Sequence, residues 1–164
     1  MAVDFASKQR DRAGEGWGLR NAKLRMSRKL IFASGLLVCF NANLDPTLQS
    51  EISTAGNDVK LKLAGQIRNQ LRNTPLEILV HSMENCGVSV DVAKRLFNSY
   101  AQFLDLLNDE SSRESLKNLR AEDSRTDVIF QRVRQFSAEF EQSLNNIFFE
   151  NSTISPLTKK YGVF

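Results

Sequence analysis

Five cations, Arg20, Lys23, Arg25, Arg28 and Lys29, fall within ten positions and follow closely on the single tryptophan, Trp17. Guanidinium and ammonium groups at this density suit phosphate oxygens, and an indole beside them can stack on a base. Together the six residues make a candidate nucleic-acid-binding surface, which Lys8, Arg10 and Arg12 would extend. On a helical wheel the five cations cover a broad outer face rather than a narrow ridge, which equally suits the wet side of a core helix. Their place in the first turns of a helix opposes the macrodipole, which favours anions there.

The only histidine, His81, has Glu77 four residues before it and Glu84 three residues after it, an acid-base arrangement in principle. Leu76, Leu79, Val80 and Met83 surround it in sequence, so it is expected to be a packing residue. Arg72, the partner that a helical ribonuclease would need, is nine residues away across a proline-started helix boundary. No catalytic residue is assigned, and the protein is expected not to be an enzyme. The two cysteines, Cys39 and Cys86, are far apart, with no paired-cysteine or Glu-x-x-His spacing, so no metal and no cofactor are assigned either.

Two motifs have ordinary structural alternatives. Gly14-Glu15-Gly16-Trp17-Gly18 has the glycine content of a loop whose amides cradle an anion. No strand precedes it and no Gly-Lys-Ser/Thr follows, so a flexible joint explains it better. Residues 79–100 admit a helix-turn-helix, with Gly87 in the turn and Lys94 and Arg95 early in the second helix. Met83 stands where that motif wants a small residue, and the second helix is long and aromatic, which favours a plain helical hairpin.

These residues must be positioned by helices. The chain has 164 residues, 41% of them hydrophobic and 25% charged, with three prolines and eight glycines, so it is one domain of long elements with few breaks. No stretch alternates as a strand does. From Leu19 an apolar series, Leu19, Ala22, Met26, Leu30, Ala33, Leu37 and Phe40, marks one continuous helix that stops before Asp45-Pro46. A helix with Val59, Leu63, Ile67 and Leu71 inward follows, then one started by Thr74-Pro75-Leu76-Glu77 as a capping box. Ser89 caps the helix of Val92, Leu96, Tyr100, Phe103 and Leu107, with Phe97 and Leu104 widening its apolar face, and Ser111 with Glu114 reads as another capping box. Ile129, Val133, Phe136, Phe140, Leu144 and Ile147 define a last long helix to about Glu150.

The expected fold is therefore all-α: a single-domain bundle of about six or seven helices around a central apolar helix, residues 30–43, buried on all sides. Residues 1–18 read as a flexible basic arm, 19–150 as the bundle and 151–164 as an irregular tail whose Leu157, Tyr161 and Phe164 are candidate partner contacts.

Charge narrows the function classes. The net charge is +3, yet residues 1–30 hold eight cations against three anions, so attraction for an anionic partner concentrates at the N-terminal end. The uncharged run from Leu30 to Phe40 is shorter than the ~20 apolar residues that a membrane-spanning helix needs. As a signal sequence it would have an overlong basic region and no small-x-small cleavage pattern. Reduced thiols in apolar contexts point to the cytoplasm. The sequence favours a non-enzymatic helical interaction or regulatory module within a larger assembly, binding a protein partner or a second copy, with no membrane. The alternative is a nucleic-acid-binding protein using the basic helix face.

Overall fold

The structure, a computed structural model, describes residues 16–54 and 58–162. Lys8, Arg10, Arg12, Gly14, Val163 and Phe164 lie outside them, as does most of the arm. Among the described residues there are eight helices and no strand, so the protein is all-α, as the periodicity implies. They are α1 Trp17–Leu44, α2 Pro46–Thr54, α3 Val59–Gln70, α4 Pro75–Asn85, α5 Val90–Asn108, α6 Glu110–Asn118, α7 Val128–Asn145 with a π turn Asn146–Glu150 at its end, and α8 Ser155–Tyr161. The eighth helix corrects the irregular tail. Pro156 is preset for a first helical turn, and the Asn151 side chain accepts from the Thr153 and Ile154 amides just before it.

The described helices form two compact units, residues 16–28 with 95–141, and residues 29–54 and 58–94 with 142–162. In the first, the opening turn of α1 lies against α6. Gly18 makes this possible, because a Cβ there would stand 2.6 Å from the Leu116 carbonyl oxygen and 3.0 Å from the Leu119 side chain. Gly16 adopts φ +70° and donates its N–H to the Lys117 carbonyl at 2.8 Å. Gly16 and Gly18, expected in a loose joint, thus dock the start of the helix. Phe103, Leu116, Phe130, Val133 and Phe140 fill the core of this unit.

In the second unit, residues Lys29–Leu44 of α1 pack on α2, α3 and α4. Leu30, Ala33, Leu37 and Phe40 are buried, with the Phe40 ring edge-on to Phe148 at 6.4 Å. Asn151 donates to the Cys86 carbonyl at 3.0 Å, tying the segment before α8 to the end of α4. Of the inward residues expected on α3, Val59, Leu63 and Ile67 are only half-buried and Leu71 is exposed. That helix is covered on a narrow side only.

Local signals set the helix ends. Thr74 and Glu77 form the capping box: the Glu77 amide donates to Thr74 Oγ1 at 3.3 Å and the Thr74 amide to Glu77 Oε2 at 2.6 Å. These bonds hold the Glu77 carboxyl below its ordinary value. The box expected at Ser111 and Glu114 is replaced by Asp109, which accepts from the Ser112 amide at 2.8 Å and the Ser111 hydroxyl at 2.6 Å. A carboxylate receives both donors where a serine would receive fewer, and its pKa falls to about 2. Within α1, Leu24–Arg28 form a π turn. The steps of four from Ala22 to Met26 to Leu30 over-rotate an ideal α-helix, and the wider turn absorbs the excess.

Candidate functional site

The basic residues differ in exposure. Trp17 is half-buried with its ring 5.2 Å from that of Phe130, so it closes the end of a core and is not held out to stack on a base. Lys23 and Arg28 are exposed, whereas Arg20, Arg25 and Lys29 are half-buried. Arg25 and Arg28 lie in the π turn, with Lys23 and Lys29 on either side of it. Arg20 Nη2 and Arg25 Nε are enclosed and have no hydrogen-bond partner among the described residues. Arg134, in the same unit, also has an enclosed Nε without a partner, while its guanidinium lies 5.5 Å from the Phe130 ring centre. The Gly16 amide, part of the glycine-rich stretch, already serves the Lys117 carbonyl and is not free for an anion.

Gly87 is accounted for by helix capping. It takes φ +64°, with the Val88 N–H bonded to the Met83 carbonyl and the Gly87 N–H to the Glu84 carbonyl, a Schellman end to α4. Lys94 and Arg95 are exposed on α5. In the tail, Leu157 is half-buried, whereas Tyr161 is 50% exposed with the Lys160 ammonium 4.9 Å from its ring centre. Phe164 is outside the described residues.

The apolar helix is not buried on all sides. Its buried stripe is the expected one, yet Ile31 is 60% exposed and Phe32 55%, and Gly35 and Cys39 are exposed on the same flank. Residues 31, 35 and 39 recur every four positions and form a strip along one side of the helix. A run that is apolar all round carries no periodic signal to say which half its neighbours cover, and here α2, α3 and α4 cover one half.

His81 departs from expectation as well. It lies on the flank of α4 opposite Leu79, Met83 and Cys86, with its side chain 61% exposed and Nδ1 4.0 Å from Glu84. There it borders a cleft of about 570 Å³ built wholly within the second unit. Three helices each bring two polar residues spaced by four: Asn41 and Asp45 at the end of α1, Gln66 and Gln70 on α3, His81 and Asn85 on α4. Leu44, Pro46 and Ile78 add apolar surface, and Cys86 sits below, buried, with its thiol pushed up by that burial.

A hydrogen-bond network orders the cleft walls. Asn41 Nδ2 donates to Gln70 Oε1 at 3.2 Å and to Ser82 Oγ at 2.8 Å. Gln66 Nε2 donates to Asp45 Oδ2 at 3.3 Å, while Asp45 Oδ1 accepts from the Thr47 and Leu48 amides and starts α2. Sequence reasoning missed this site. The available signal was the polar pair at spacing four near the ends of three helices, α1, α3 and α4.

Among the described residues, no three or more His, Cys, Asp or Glu side chains group so as to hold a metal ion. No single helix is long and apolar enough to cross a membrane, although the pair Trp17–Leu44 and Pro46–Thr54, bent by 65°, reaches the length and composition together. Compared with protein families, curated proteins and solved structures, the chain matches none.

Proposed function

We propose that the protein is a non-enzymatic helical interaction module that works within a larger assembly, by laying the exposed flank of α1 against an apolar helix of a protein partner. The observation that carries this reading is Gly35 in the middle of the strip. A glycine inside a helix costs about 0.5–1 kcal/mol relative to alanine. Nothing among the described residues asks for it, since a Cβ at position 35 would meet none of their atoms within 4 Å. A notch between Ile31, Phe32 and Cys39 lets another helix approach closely, and large apolar side chains beside the notch supply the burial.

Cys39 offers a direct test, because it is exposed on the strip while Cys86 is buried. A benzophenone attached to Cys39 of the full chain should, on illumination in extract from its own cells, yield one discrete adduct that mass spectrometry maps to an apolar helical segment. Ile31→Asp should abolish it. An adduct of twice the chain mass would identify a second copy as the partner. The reading fails if the adduct survives Ile31→Asp, or if the probe joins only lipid.

A second reading, nucleic-acid binding, is favoured by the half-buried Arg20 and Arg25 beside the exposed Lys23 and Arg28 on α1. Contact with four or five phosphates would make log affinity fall against log salt with a slope of about −4. Retention of no DNA or RNA at low salt, or equal retention after Arg20→Ala and Arg25→Ala, would end it.

A further inference from the structure

We propose that the cleft among α1, α3 and α4 binds an extended peptide segment and reads it through its backbone. The site is distinct from the Gly35 strip and does not depend on it. The chemistry of the lining narrows the ligand first. Among the described residues no lysine or arginine lines the cleft, so a phosphate or carboxylate would enter with no opposite charge to meet it. Among them no Phe, Tyr or Trp lines it either, so a base or sugar ring would find no platform on which to stack. The walls instead present carboxamides, each of which is donor and acceptor at once.

A carboxamide is the side-chain equivalent of a peptide unit. The internal bonds fix which half of each amide remains to be used. Asn41 directs both N–H groups inward, to Gln70 Oε1 and Ser82 Oγ, which leaves its Oδ1 as an acceptor. Gln70 accepts through Oε1 and so retains its Nε2 as a donor. An acceptor and a donor on hydrogen-bonded neighbours complement the N–H and C=O of an extended chain.

The spacing agrees. Residues four apart on a helix are about 6.0 Å apart along its axis, and alternate residues of an extended chain are about 6.6 Å apart. Gln66 and Gln70 can therefore address successive same-facing backbone groups of one strand, with His81 and Asn85 opposite at the same interval. A side chain pointing inward would lie on Leu44 and Ile78. The volume of about 570 Å³ is within the range of ligand-binding clefts, about 300–1,000 Å³.

The test is a displayed library of linear heptapeptides, panned on the full chain with counter-selection on the Gln66→Ala/Gln70→Ala double variant. Enriched peptides are then synthesised and titrated by fluorescence anisotropy. The expected result is at least about tenfold weaker binding when alternate backbone amides of the peptide are N-methylated, and a comparable loss with Gln70→Ala. Ile31→Asp should leave peptide affinity unchanged, which separates this site from the α1 strip. Should Gln70→Ala lower the thermal midpoint, Asn85→Ala and His81→Ala, at exposed positions, carry the same expectation. The proposal is overturned if no peptide survives counter-selection, if N-methylation has no effect, or if a glycan array is retained in its place and lost on Gln70→Ala.

Discussion

Two glycines in α1 sit in opposite surroundings. Gly18 is buried, and a methyl group there would collide with the Leu116 carbonyl, whereas Gly35 is exposed and a methyl group would meet nothing. Gly18 is needed by the chain's own packing and Gly35 is not. The sequence writes both with the same letter. What separates them is the surface each one faces, the end of α6 for Gly18 and solvent for Gly35.

The largest expected contrast is chemical. Cys39 lies one turn beyond Gly35 and is exposed, while Cys86 is buried with its thiol raised by desolvation. Titration of the folded protein with a disulfide reagent should modify one thiol promptly and the second only on unfolding. Two fast thiols would mean that the floor of the cleft opens, and none would mean that the strip is covered.

Gly18→Ala should follow in size. The obstruction is backbone, which cannot swing aside, so the α1–α6 contact must open at a cost of about 1–3 kcal/mol. A thermal midpoint lowered by several degrees is expected, and an unchanged one would show that the contact tolerates separation. Asp109→Ala should loosen α6 from its other end and lower the midpoint by less.

The same cap has a pH signature. Asp109 is held at about 2 by its bonds to Ser111 and Ser112, below its ordinary 3.8. Its folded-state pKa is depressed, so its stabilisation is in full force above the ordinary value and is lost as pH falls through about 2. Asp109→Asn keeps an acceptor at the cap without the titration, and should flatten that part of the acid-unfolding curve between pH 4 and 2.

The long helices were legible because their stripes are periodic: Val133, Phe136, Phe140 and Ile147 on α7 are buried as their spacing requires. Thr74 and Glu77 were legible because a capping box is local. The cap falls on Asp109 and not on Ser111 because both residue types cap well, and the choice depends on where the backbone leaves α5. Burial around Ile31 and Phe32 was not legible, since a helix apolar on every side fits any arrangement of neighbours. The cleft was hidden for a different reason. Gln70 and Ser82 are 29 and 41 residues from Asn41 in the chain, and nothing local marks them as its hydrogen-bond partners.

The smallest effect discriminates best. Gly35→Ala should raise stability by about 0.5–1 kcal/mol, because it removes backbone freedom from the unfolded chain and adds a methyl group to open space. In a chain of 164 residues that is about 1–4 °C in thermal midpoint. If the notch exists for the chain alone, the gain is the whole effect. If it exists for a partner helix, the same methyl group should weaken the Cys39 photo-adduct while the midpoint rises. Stability and association moving in opposite directions at one residue is a result that a merely tolerated glycine would not give.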